Sequence, residues 1–131
     1  MKHILPLTYE PKIFDVRNGI CTQTIRPCSD KKPKFVGDLV MYHGWEGRPY
    51  HSKWSFRTPY WKIKEIIWIL ITEDGIIMYD DPMRLLSPDE CKDIAIKDGF
   101  VNYEEMYAEF VKMYGKKLET LVFEIIRWDY P

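Results

Sequence analysis

No apolar run in this chain of 131 residues approaches the length of a membrane span. The longest, Ile66 to Ile71, is strand-sized, whereas a spanning helix needs about 20 apolar residues. The opening Met1-Lys2-His3-Ile4-Leu5-Pro6 is too short and too soon broken by proline for a secretory leader. An intracellular, cytoplasmic protein without a membrane partner is therefore expected. Cysteine is scarce: Cys21, Cys28 and Cys91 have no metal-site spacing, and an odd count argues against a secreted disulfide framework. His3, His43 and His51 are scattered, with no paired-ligand spacing. Neither a metal nor a cofactor is expected. The net charge of −1 excludes a global field that would gather nucleic acid. Repeats, linkers and low-complexity segments are absent, so residues 1–131 read as one domain.

What is present is a large aromatic content, 15%, and an uneven distribution of charge. From Lys31 to Ile67 there are eight Lys/Arg against three acids, and from Glu73 to Val122 six against twelve. The two halves either pair with each other or leave a local basic surface.

Hydrophobic periodicity predicts a strand over 3–7 and a helix over 8–17, with Pro11 in its first turn and Gly19 as its left-handed stop. Strands are predicted over 22–26, 39–42, 62–72 and 76–79, the last two joined by Glu73-Asp74-Gly75. Ser87-Pro88-Asp89-Glu90 starts a helix ending at Asp98-Gly99, and Asn102-Tyr103-Glu104-Glu105 starts another ending at Gly115. A last strand runs over 120–128. The fold class is α+β.

The stretch Thr22-Gln23-Thr24-Ile25-Arg26 stands out. Alternation puts Thr22, Thr24 and Arg26 on one face. A buried core strand rarely spends three same-face positions on polar groups, so that face is either wet or binds something. Arg26 suits a phosphate or carboxylate, or else an internal salt bridge to Asp98 or Asp38. The segment from Arg48 to Trp61 interleaves Arg48, Lys53 and Arg57 with Tyr50, Trp54, Phe56, Tyr60 and Trp61. Bases stack on aromatic faces while cations neutralise the backbone, so this composition suits single-stranded RNA or a flipped base. The alternative is that Trp54, Phe56 and Trp61 are core. Lys31, Lys32 and Lys34 join the binding candidates.

Gly19, Cys21, Thr24 and Arg26, followed by Phe35-Val36-Gly37-Asp38, resemble the activating-signal-cointegrator-homology (ASCH) family. The resemblance implies a PUA-like small mixed β-barrel with helices packed at its edge, and binding of RNA, a nucleotide or a modified nucleoside. Small members of the family are amidohydrolases of N4-acetylcytidine that use a lysine, a threonine and a later carboxylate. Thr24 matches the threonine, and Asp98 stands where the carboxylate would align. The motif lysine is replaced by Cys21. Cysteine supplies no amine base; it is either a nucleophile or a small buried hydrophobe. Lys2 and Lys53 are candidates for the missing amine. The expected cleft combines Cys21, Thr24 and Asp98 as catalytic candidates with Arg26, Lys32, Lys34, Arg48, Lys53, Trp54 and Arg57 as ligand-binding ones. A hydrolase and a protein-interaction module using the aromatic segment are the competing readings.

Overall fold

The computed structural model describes residues 1–130. In chain order the elements are β1 (Lys2–Pro6), α1 (Glu10–Arg17), β2 (Gln23–Pro27), β3 (Leu39–Trp45), β4 (Trp54–Arg57), β5 (Trp61–Thr72), β6 (Gly75–Met78), β7 (Arg84–Leu85), α2 (Pro88–Lys97), α3 (Tyr103–Tyr114), a 3-10 turn (Gly115–Thr120) and β8 (Phe123–Trp128). The α+β class holds. None of the helices among the described residues is long and apolar enough to cross a membrane.

The helices begin where their caps dictate. Ser87 accepts from the Glu90 amide while the Glu90 carboxylate accepts from the Ser87 amide, a reciprocal cap that starts α2. Asn102 accepts from the Glu105 amide at 2.9 Å and starts α3. Gly19, at φ +74°, turns the chain out of α1, and a Cβ there would land on the Tyr130 ring. The 3-10 turn and the two-residue β7 carry no periodic signal and were not expected. Within the aromatic-rich segment from Arg48 to Trp61 a strand forms over Trp54–Arg57.

β5 is the spine of the sheet. Its first residues pair with β3, its middle with β8, and its end with β6. β8 in turn carries β2, while β3 carries β1 in parallel and β4 antiparallel. Alternate residues of these strands go to two cores. Ile25, Ile69, Ile71, Phe123 and Ile125 pack under α2 and α3 with Met106 and Phe110. Val40, Tyr42, Ile63, Ile126 and Trp128 pack on the other side with Trp61 and Val16 of α1.

The sheet is not closed into a barrel. The run β1-β3-β5-β8-β2 has no backbone ladder joining β2 to β1 among the described residues. Both strands that border the gap end in proline, β1 at Pro6 and β2 at Pro27, which removes one ladder donor from each. A side chain spans the gap instead, the Arg26 guanidinium donating to the Pro6 carbonyl.

At the opposite end of the core, Asp38 ties β1 to the turn before β3. Its carboxylate is bonded to His3 Nε2 at 2.8 Å, to the N-terminal amine at 3.2 Å and to the Phe35 amide at 3.0 Å. The His3 bond is the main reason its pKa falls from 3.8 to about 2. Folding therefore gains from this carboxylate fully above its unfolded value, and the gain disappears as pH falls from 3.8 towards 2. Asp38→Asn is expected to lower the urea midpoint at neutral pH and to flatten its decline over that acid interval. An acid limb of unchanged slope would show that the tether contributes nothing.

Candidate functional site

Where β2 fails to meet β1, a cavity of about 210 Å³ opens. Its walls come from the end of β1 and the segment after it, α1, β2, Tyr50 of the β3–β4 loop, the α2–α3 corner, and the second half of α3, which brings the carboxylate of Glu109. Thr24 and Arg26 line it from β2, Lys12 from α1, and Asp98 and Phe100 from the corner.

Lys12 lies four residues before Val16, so both point inward from α1, and each is almost fully buried. Its ammonium is 2.9 Å from Asp98 Oδ1. Asp98 is the C-cap of α2 and only 2% exposed. The expected position at a helix C-terminus is met, but this carboxylate is buried rather than solvated. Burial pushes its pKa up, and Lys12 and the Gln23 amide oppose that rise. Gln23 completes the arrangement. Its NH2 donates to Asp98 Oδ1 and to the Ile94 carbonyl, both at 3.2 Å, while its carbonyl accepts from Arg127 Nε at 3.0 Å. The amide is thus held in one orientation. Removing one partner of such a buried ion pair costs about 3–5 kcal/mol, because the other charge is left without a counter-ion.

Arg26 occupies a contrasting environment. Glu124 is directly opposite it across the β2–β8 ladder. That carboxylate is already taken by Lys34, whose ammonium is 3.0 Å away. No carboxylate lies within ion-pair distance of Arg26 among the described residues. Its neighbours are the Pro6 carbonyl and the Tyr42 ring, 5.9 Å from the guanidinium carbon. Arg26 Nε and the Tyr42 hydroxyl are both buried without a hydrogen-bond partner. Burial lowers the Arg26 pKa from its ordinary value. The proposed internal bridges from Arg26 to Asp98 or Asp38 do not form, since those acids are bound to Lys12 and to His3. Thr24 is 3% exposed, and its hydroxyl is bonded to no other described group.

The rim is aromatic. Tyr9 and Phe100 lie 5.1 Å apart by ring centroid. Tyr50 reaches the cavity from the β3–β4 loop, 74% exposed and at φ +64°, a conformation tyrosine rarely adopts. Its ring is 5.2 Å from that of Trp45.

Of the residues singled out from the sequence, Thr24, Arg26 and Asp98 converge. Cys21 does not line this cavity. Its thiol donates to the Gln23 and Lys97 carbonyls at 3.2 Å each, and burial pushes its pKa up, which suits a small packed side chain and not a nucleophile. Lys34 faces a different groove, engaged with Glu124. Lys32, Arg48, Lys53 and Arg57 are exposed and outside the cavity wall, and Trp54 is stacked on His43 at 4.0 Å. Neither Lys2 nor Lys53 supplies an amine: Lys2 lies over the Tyr60 ring. The amine at the site is that of Lys12, which the sequence reading missed. Its signal was a lysine on the same helical stripe as Val16, where an apolar residue belongs. Gln23 was missed because only its neighbours on the opposite face were weighed.

No family model matches the chain, and no curated protein does. A solved structure, the crystal structure of hypothetical protein PH0355, is similar to it with a TM-score of 0.60 and 14% identity, over 98% of each chain. That likeness bears on the fold alone.

Proposed function

We propose that the chain is an ASCH-like domain of PUA-like architecture whose cavity binds one nucleotide or modified nucleoside. The observation that carries this reading is the half-buried Arg26 on the cavity wall, its Nε buried without a hydrogen-bond partner and its guanidinium without a carboxylate partner. A buried donor left without a partner is unfavourable until a ligand brings an acceptor. The planar fork matches a phosphate or the carbonyl edge of a base. Tyr50 and the partly buried Tyr9 offer faces on which a base stacks. At about 210 Å³ the cavity is smaller than the roughly 300–1,000 Å³ of drug-sized pockets, which suits a single base. An RNA carrying that base would run outside it, towards Trp54 and the basic residues Arg48, Lys53 and Arg57. Calorimetric titration with cytidine monophosphate and with N4-acetylcytidine tests this. Arg26→Ala is expected to weaken binding by about tenfold to a hundredfold. Binding indifferent to that substitution would remove the reading.

A second reading, amide hydrolysis, is favoured by Lys12, Asp98 and Thr24 lining one cavity. Lys12 stands in for the lysine absent at position 21. With its ammonium proton passed to Asp98, whose pKa is raised by burial, the Lys12 amine accepts the Thr24 hydroxyl proton. Thr24 Oγ attacks the acyl carbon, the C–N bond breaks, and the leaving amine takes that proton. Water then cleaves the acyl-threonine ester, releasing the acid and restoring the hydroxyl. Release of cytidine and acetate from N4-acetylcytidine, followed by mass spectrometry, is expected to vanish in Thr24→Ala and to persist in Thr24→Ser. Absence of release by the unaltered protein would end this second reading and leave the first intact.

A further inference from the structure

A second, larger cavity lies away from the proposed nucleoside site. It occupies about 740 Å³ between the 28–36 loop, the middle of β5 and the end of β6. That is within the roughly 300–1,000 Å³ typical of small-molecule sites. Its apolar walls are unusual for a surface. Trp68 is 55% exposed, Phe35 61% and Tyr79 46%, although all three border the same hollow. Three aromatic rings left open around one cavity are more than scattered surface residues require.

The polar groups in the same hollow have a consistent sign. Asp30, Asp80 and Glu124 line it, against Lys34 alone. Lys34 and Glu124 form a buried ion pair at 3.0 Å, with side chains 7% and 5% exposed. The ammonium is therefore already neutralised. Only one Glu124 oxygen is engaged by Lys34, and the other is bonded to no described group. That second oxygen is not sealed from solvent, and Glu124 lines the cavity, so a donor in the cavity can reach it. Cys28 is exposed at the edge of the hollow, and partial desolvation with Glu124 close by pushes its thiol up to about 11.

We infer that this groove binds a small organic cation: an amine whose apolar body lies against Trp68, Phe35 and Tyr79 and whose ammonium faces Glu124, Asp30 and Asp80. Open aromatic faces attract a cation through their quadrupoles, Trp most strongly. The two carboxylates not neutralised by Lys34 supply the opposite charge. An anionic ligand of the same shape meets that charge as repulsion.

A matched series tests the assignment: 3-phenylpropylamine, 3-phenylpropanol and 3-phenylpropanoate, titrated by NMR shifts of the Trp indole protons. The amine is expected to bind about fivefold or more tighter than the alcohol, with the carboxylate weakest. Trp68→Ala is expected to weaken the amine by about fivefold or more, and Asp80→Asn, an exposed change that leaves the buried pair intact, by about twofold. Glu124→Gln also disturbs Lys34, so Asp80→Asn serves as the charge test should that variant not fold. Arg26→Ala is expected to leave amine binding unchanged, which separates this groove from the proposed nucleoside site. Preference for the carboxylate, loss of amine binding in Arg26→Ala, or a self-association that buries Trp68 and is abolished by Trp68→Ala would each overturn the assignment.

Discussion

The buried ion pair between Lys12 and Asp98 is the constraint around which the candidate site is arranged. It joins the first helix to the end of the second, elements 86 positions apart in sequence, at 2.9 Å. In water such a pair contributes little. Inside the protein each charge depends on the other, and Gln23 adds a donor to the carboxylate. The pair thereby brings α1, β2 and α2 to one point. Cys21, bonded to the carbonyls on either side, fills the space beside it as a packed thiol. In the proposed chemistry the amine has moved from the strand motif to the neighbouring helix, while the carboxylate and threonine keep their places.

A second constraint is the pair of prolines that ends β1 and β2. Each proline removes one ladder donor at that seam, where no backbone ladder joins the two strands among the described residues. The opening there is the cavity, and Arg26 bridges it with a side chain. Lys34 pairs with Glu124, the carboxylate opposite Arg26 across the ladder, and Arg26 has no ion pair among the described residues. In the larger cavity that pairing cancels the lysine's own charge.

Much of the architecture was legible because it rests on local chemistry. The caps at Ser87 and Asn102, the hairpin at Asp74-Gly75 and the apolar length of β5 are near-neighbour effects, and each appears within a residue or two of its expected place. Thr24 and Arg26 were recognisable because alternation alone places them on one face. Asp98 was recognisable only through the family resemblance, which aligns a carboxylate with the end of α2. The strand expected over 120–128 begins three residues late, because Gly115–Thr120 tightens into a 3-10 turn. The basic residues around Lys53 were grouped with the cavity by composition, yet the β3–β4 hairpin carries them outside it.

The linear order of residues determined the helices, most of the strands and the polar row on β2, since these follow from periodicity, capping and turn chemistry over a few neighbours. Which lysines meet Asp98 and Glu124, and where the sheet stays open, were decided only by the tertiary structure. Those are pairings between distant segments. In a buried environment a charge's partner is set by which side chains share the same dry space, and sequence separation carries no information about that.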